Sequence, residues 1–432
     1  MNARVIVVGA GWYGCHIAIE LARTGYGVTL IEKESRILSR CSGTFGIRLH
    51  RGPHYPRSPA TRRECRRTFQ RFLDEYPELV VWHAESIYAY GLEDAKGHQS
   101  KVSLEDFEQV CLETPEARQL NPNQMPRFRD ISAAYELSEP SIAIGEKLRS
   151  TLSAKLAQFS VELIINADIQ RIDERKGHAL VTWQCRDCNI FMTRSADFAI
   201  DATGYQAFPE HETIKRTLGL SIVYQACVAF EYRDKSPGSR PISFIVMDGW
   251  YPCLMPHIGD NKDGEDEIFN RYILTHGCYT ILGTHESPQK AQADVENVES
   301  TSAINELKAA AEAEMCRFWP DFAHRFVYEG WKGQVLAKPR VETDFRSSLT
   351  FANGRVVHVV PGKISNVFNA ADETLQLLEF ATQGHGDVVS VDAGIAVVNS
   401  SSLITEKAEL QKPSDKMSAR ATYNLQTLHE MR

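Results

Sequence analysis

The sequence predicts an α/β protein in which a Rossmann-like parallel sheet is interleaved along the chain with a second, mainly antiparallel sheet. Three observations lead there. A strand, a glycine-rich turn, a helix and a second strand fill the chain from Arg4 to Glu32. Two further strands that end in turns, one closing on Gly204 and one on Pro361, lie far downstream. The stretches between these pieces carry aromatic and β-branched runs that read as strands of another sheet.

Taken in order, Arg4 to Val8 is a β-branched run bounded by glycine, the pattern of a short buried strand. Gly9-Ala10-Gly11-Trp12-Tyr13-Gly14 follows, and Ile17, Ala18, Leu21 and Ala22 continue as a helix to Arg23. Gly25-Tyr26-Gly27 stops that helix, and residues 28–31 form a second strand closing on Glu32 and Lys33. Strand, G-x-G-x-x-G, helix, strand and acid together make a dinucleotide fingerprint; the glycines alone would be a weak signal. Gly9 permits the tight turn, Gly11 lets the backbone approach a pyrophosphate, and Gly14 lets the helix close on the strand. The helix N-terminus faces the phosphate charge. Glu32 suits an adenosine ribose and disfavours a 2′-phosphate, which argues against NADP.

Residues 161–171, 179–185 and 189–194 read as strands, and the next run ends in Asp201-Ala202-Thr203-Gly204. A strand closing on Asp-Ala-Thr-Gly after a β-meander resembles the second signature of two-dinucleotide-type flavoproteins, whose Thr-Gly turn passes close to FAD. That resemblance puts Ala202, Thr203, Gly204 and, on the meander, Ile169 among the cofactor contacts. Residues 356–360 are another β-branched strand. Pro361-Gly362-Lys363-Ile364-Ser365-Asn366 is a turn, and Val367, Phe368, Ala371, Leu375 and Leu378 mark a helix after it. A second helix N-terminus behind a strand suits phosphate or the polar edge of a flavin.

These pieces, with Glu32 and the 39–48 segment, stand in the order of the D-amino-acid oxidase-like (DAO) family of FAD-dependent oxidoreductases. The chain resembles that family from residue 1 to about 380. The resemblance implies a Rossmann-like FAD-binding domain of the two-dinucleotide type from residues 1–80, 140–217 and 334–383. It implies a substrate domain of mainly antiparallel sheet from 81–139 and 218–333, and a tail from 384–432 without a role. Strands near 86–90, 222–232, 242–247, 251–255 and 272–283, and a helix over 303–318, fit the second domain. Two departures stand out. The last turn carries only Gly362 where the family is richer in glycine, and the Gly-Asp pair of flavin hydroxylases is absent, which disfavours monooxygenase chemistry.

The 39–58 segment is the most unusual part of the chain. Ser42, Gly43 and Gly46 suit a loop running against an isoalloxazine ring, and Arg48, His50, His54, Tyr55 and Arg57 supply cationic and hydrogen-bonding groups. The resemblance places this segment along FAD and in front of the ring, with Arg48 serving cofactor or substrate. It also offers covalent flavin attachment, with His50, His54 and Cys41 as candidates. The catalytic candidates are His50, His54 and Lys363; the substrate candidates are Arg48, His50, Tyr55, Tyr251 and Lys332. Tyr224, His257, Arg271, Tyr272 and His276 are further polar groups on the second sheet. No arginine stands clearly where the family's amino-acid oxidases bind a carboxylate.

The implied activity is an FAD-dependent oxidation. A hydride leaves the C–N bond of an amine or amino-acid-like small molecule for flavin N5, and O₂ or another acceptor reoxidises the flavin. Lys363 would stabilise negative charge on the reduced flavin. The alternatives are a flavin monooxygenase or other biosynthetic flavoenzyme, and a flavin-stabilised RNA-binding or RNA-modifying protein. The last would use Arg62, Arg63, Arg66, Arg67 and Arg71 on a helix from Ser58 to Tyr76; a solvated face with Arg71 pairing Glu75 is the simpler account.

Composition narrows the field. The 432 residues carry a net charge of −8 and 43% apolar residues, which fits a globular protein and argues against nucleic-acid or anionic-membrane partners. No uninterrupted apolar run approaches the ~18 residues of a membrane span. The apolar N-terminus is interrupted by glycines and lacks the plan of an export signal. Ten scattered cysteines then read as reduced thiols in a cytoplasm. Cys185-x-x-Cys188 has no second ligand pair nearby, so no metal is expected.

Overall fold

The computed structural model describes residues 3–45, 47–121, 125–204, 221–238, 240–259, 269–299, 302–340, 346–383, 388–391 and 395–398. Gly46, the 205–217 part of the expected FAD-binding domain and residues 399–432 of the expected tail lie outside them. Among the described residues the strands form four sheets.

The first sheet runs in the order Val388–Val391, Ile395–Val398, Leu349–Asn353, Val356–Val360, Phe198–Asp201, Arg4–Val8, Gly27–Ile31, Glu162–Ile164. Its last five strands are parallel, with Val8 opposite Asp201 on one side and Ile31 on the other. Successive residues of Arg4–Val8 point to opposite faces, which sorts the core. Val5 and Val7 pack against the helices Trp12–Arg23, Gly145–Gln158 and Val367–Gln383. Ile6 and Val8 pack against Ala179, Val181 and Trp183 of a three-stranded antiparallel meander on the opposite face. The strand is hydrophobic throughout because both its faces are covered.

The second large sheet is mostly antiparallel and is built around the long strand Ser221–Asp234, which pairs with Phe326–Arg340 along its whole length. Glu85–Gly91 and Ile242–Met247 pair in parallel within it. Helix Ala303–Phe318 covers one face, and the Phe128 and Phe244 rings stack there with centroids 4.2 Å apart. A small sheet joins Ile47–Arg48 to Pro140–Ile142 and Val80–Trp82.

Several expectations change. The 161–171 run is two strands in two sheets, Glu162–Ile164 and Ala167–Arg175, because Asn166 turns the chain at φ +53° between them. Phe326–Arg340 crosses the expected boundary at 334 without a break, so its end stays in the second sheet. Val388–Val391 and Ile395–Val398, assigned to the tail, extend the first sheet, and Val397 and Val398 are buried there. Among the described residues no helix is long and apolar enough to cross a membrane.

Candidate active site

The carboxyl ends of the parallel strands open onto a cavity of ≈ 810 Å³, the place where open α/β sheets bind ligands. Residues 8–13, 31–34, 202–204 and 361–364 form one wall. The facing sheet supplies 245–251, 275–277 and 334–339, and the 38–57 segment runs between them.

The nucleotide end fits FAD on its own geometry. Gly9 has φ +94°, and a Cβ there would sit 2.7 Å from the Ala202 carbonyl oxygen. A Cβ on Gly14 would meet the Gly9 carbonyl oxygen at 1.8 Å, so this glycine sets the helix against the turn rather than lining the cavity. Helix Trp12–Arg23 has no side-chain cap and no acid in its first turn; among its first donors, the Trp12 N–H reaches the Ser42 hydroxyl at 3.2 Å. An anion is thus accommodated at that end. Glu32 accepts from the Ala10 N–H at 2.6 Å and the Glu34 N–H at 2.9 Å. Burial raises its pKa, and those backbone donors oppose the rise. Ala10, Gly11, Trp12, Tyr13, Lys33, Ser42, Ile169, Ala202, Thr203, Gly204, Gly362, Lys363 and Ile364 all line the same cavity.

Tyr13 ties the first motif to the last. Its hydroxyl donates to the Lys363 carbonyl at 2.7 Å and accepts from the Gly362 N–H at 2.8 Å. Asn366 closes the turn from below, accepting from the Lys363 N–H at 2.8 Å and donating its own N–H to the Lys363 carbonyl at 3.0 Å. Ser365 and Asn366 are buried and shape the turn without lining the cavity, and Gly43 likewise packs on the Leu38 carbonyl.

At the other end His50 and His54 stack with ring centroids 4.7 Å apart, and both line the cavity. Each has a buried Nδ1 without a hydrogen-bond partner. Burial holds both well below the usual histidine pKa, and the nearby Arg48 and Lys363 charges push the same way. Both rings are therefore neutral across the physiological range. Tyr55 stands edge-on to both rings, out of the cavity, with the Lys363 ammonium 4.9 Å from its centroid.

Arg48 lines the cavity, but its charge is already matched. Its side chain and that of Glu139 are fully buried as an ion pair at 3.2 Å, and the Tyr88 hydroxyl touches Arg48 and donates to Glu139 at 2.8 Å. Glu139 also accepts from the Arg51 N–H at 2.6 Å. Arg57 pairs with Asp248 at 2.6 Å. Sequence reasoning missed Glu139, Tyr88 and Asp248. The only local signal for Glu139 is an acid beside Pro140, and the pairing of Arg48 with Ser141 is what brings it to the site.

Tyr251 lines the cavity but spends its hydroxyl on the Gly91 carbonyl at 3.2 Å. Lys332 is not brought to the site; it pairs with Glu231 at 2.8 Å on the long strand, beside His257. His276 lines the cavity, whereas Arg271 and Tyr272 do not, and the Tyr272 hydroxyl accepts from the Ile242 N–H. The arginine stripe is engaged in ion pairs: Arg66 with Glu113, Arg67 with Glu64, and Arg71 with Asp372 rather than Glu75. Glu75 is held instead by Arg23 and Lys155.

Comparison with known proteins agrees with this geometry. A family model described as FAD dependent oxidoreductase (DAO) matches residues 4–372. The FAD-dependent monooxygenase kojA of Aspergillus flavus is 42% identical over 431 residues, covering 98% of this chain and 96% of that protein. The FAD-dependent monooxygenase FPY4 of Fusarium mangiferae is 26% identical over 373 residues, 86% and 90% of the two chains. Among solved structures, NikD, an unusual amino acid oxidase essential for nikkomycin biosynthesis, superposes with TM-score 0.64 at 14% identity over 89% of this chain and 95% of its own. Glycine oxidase from Geobacillus kaustophilus gives 0.56 at 13% identity, over 88% and 95%. With the nucleotide turn, the meander and the last turn converging on one cavity, the chain belongs to the DAO family of FAD-dependent oxidoreductases.

Proposed function

We propose that the chain oxidises a small polar molecule at a carbon bearing an amine or, as the second choice, a hydroxyl, with O₂ or another acceptor closing the cycle. FAD, when bound, supplies the two-electron oxidising power. The observation that carries the reading is the neutral His50–His54 stack on the cavity wall, whose Nδ1 atoms make no hydrogen bond, the His50 Nδ1 lying 3.6 Å from Glu139. A neutral imidazole accepts a hydrogen bond from an amine N–H or a hydroxyl, holding the heteroatom so that its lone pair assists C–H cleavage. Arg48 and Arg57 are each matched by an acid, which supports a neutral or cationic substrate over a bare α-carboxylate. Lys363 stands at the last turn, where its ammonium stabilises negative charge developing on its side of the cavity.

The test is anaerobic bleaching of the yellow holoprotein by a panel of amines, hydroxy compounds and amino acids. A substrate should bleach it without NADH or NADPH. His50→Ala should slow bleaching by about 10²-fold, the scale of a lost orienting contact. Bleaching only by NADH or NADPH would sink this reading and favour a monooxygenase, the activity in the names of the Aspergillus and Fusarium relatives. Lys363→Met with unchanged reduction and reoxidation rates would remove the lysine's role.

A further inference from the structure

The Cys185-Arg186-Asp187-Cys188 turn lies outside the cavity at the tip of the meander. We propose that Cys185 and Cys188 form a reversible dithiol–disulfide site whose oxidant is a hydroperoxide, and whose closure loosens the Glu32–Glu34 end of the FAD cavity.

Backbone geometry holds the two cysteines on one tight turn. Cys185 ends the strand His178–Cys185; its N–H donates to the Ile190 carbonyl at 2.9 Å, and its carbonyl accepts from the Asn189 N–H at 2.8 Å. The turn is thereby fixed at both ends, with Cys185 and Cys188 three positions apart across it. Cys188 is exposed and Cys185 half-buried, so a small oxidant reaches both. Of the ten cysteines, Cys185 alone has its thiol pulled below the usual value, by the Cys188 thiol and then by backbone N–H donors. Burial pushes Cys15, Cys41, Cys65 and Cys111 up instead. Thiolate character and access are what select a redox-active cysteine.

The same turn is wired to the cofactor end. Arg186 donates its N–H to the Asn166 carbonyl at 2.8 Å, and Asn166 donates to the Glu34 carbonyl at 3.1 Å. The Asn166 amide holds Asp187 at 3.0 Å, and the Arg186 guanidinium reaches Glu34 at 3.5 Å. Glu34 lines the cavity and its N–H is held by Glu32. Arg186 and Asp187 therefore sit between two sulfurs that draw together when they bond.

The chemistry balances. The Cys185 thiolate attacks one peroxide oxygen and becomes a sulfenic acid, while the other oxygen leaves and takes a proton. The Cys188 thiol then displaces hydroxide from that sulfur and gives up its proton, forming the S–S bond and water. Two thiols are oxidised and one peroxide is reduced.

The experiment treats purified holoprotein with a small excess of hydrogen peroxide, then alkylates, digests and maps the 185–188 peptide by mass. The expected result is a disulfide that dithiothreitol reverses, no oxidation at Cys188 in Cys185→Ser, and a dimedone-trapped sulfenic acid in Cys188→Ser. FAD release, read as flavin fluorescence after dilution, should be about threefold faster in the oxidised protein, the scale of one weakened surface ion pair. Cys185→Ser treated alike should show no change. Alkylatable thiols after peroxide, or direct passage to sulfinic acid, would overturn the site. A disulfide with an unchanged FAD release rate would overturn the link to the cofactor. Neither readout uses turnover, so the substrate reading stands or falls separately.

Discussion

Arg48 shows how a residue's meaning depends on a partner far away in the chain. Alone it is a cation at a flavin; with Glu139 and Tyr88 it becomes a neutral buried network beside His50, whose Nδ1 lies 3.6 Å from Glu139. Removing one member of a buried pair leaves an uncompensated charge. Glu139→Ala should therefore cost about 3–5 kcal/mol in denaturant unfolding. Glu139→Gln, which keeps the shape and the hydrogen bond from Tyr88, should cost less. Titration gives a second prediction at this scale. His16, His83 and His276 are pushed down to about 3 by burial, and His50 and His54 go the same way. The folded values of His16, His83 and His276 lie below 6.5, so the stability these three contribute is present above 6.5 and lost as pH falls towards 3. Each contributes a slope of about 1.4 kcal/mol per pH unit in that window. Glu373 has the opposite sign: burial raises it from 4.5 to about 8, so its stabilisation is full below 4.5 and lost as pH rises to 8. The thermal midpoint should fall on acidification below 6.5, and Glu373→Gln should flatten the alkaline decline.

At the scale of elements, the nucleotide turn is the most legible part of the chain. Its glycines are dictated by contacts within a few residues and by one neighbouring strand, so spacing alone exposes them. Gly14→Ala should abolish FAD retention, because a methyl there drives the helix off the Gly9 carbonyl; flavin content after purification checks it. The Tyr13 clamp was invisible, since its partners lie some 350 positions on. Tyr13→Phe removes two hydrogen bonds at about 1 kcal/mol each. FAD dissociation should rise by roughly tenfold or more, read by fluorescence titration. The 161–171 run misled because β-branched residues read as strand on either side of Asn166. Only the positive φ at that position separates the two sheets. The arginine face of helix Pro59–Glu75 is legible as charged, but its partners Glu113 and Asp372 come from elsewhere in the fold.

For the whole molecule, the cavity exists because two sheets of different kinds face one another, and the chain passes between them several times to build both. Strands Val388–Val391 and Ile395–Val398 belong to this architecture. They cover the edge strand Leu349–Asn353, which pairs on its other side with Val356–Val360 at the last turn of the site. Ending the chain at Gln383 should expose that edge and the core around Val398, lowering the thermal midpoint and promoting aggregation. What the sequence by itself determined is the set of local devices: the β-branched strands, the glycine turns and the helices that follow them. Each depends on backbone conformation and contacts close along the chain, so residue type and spacing suffice. The tertiary structure alone decided which charges are matched, that Lys332 faces Glu231 while His50 and His54 face the cavity, and that the early tail completes a sheet. Those outcomes depend on which distant segments meet in three dimensions, and a burial or ion pair exists only once both partners have been brought together.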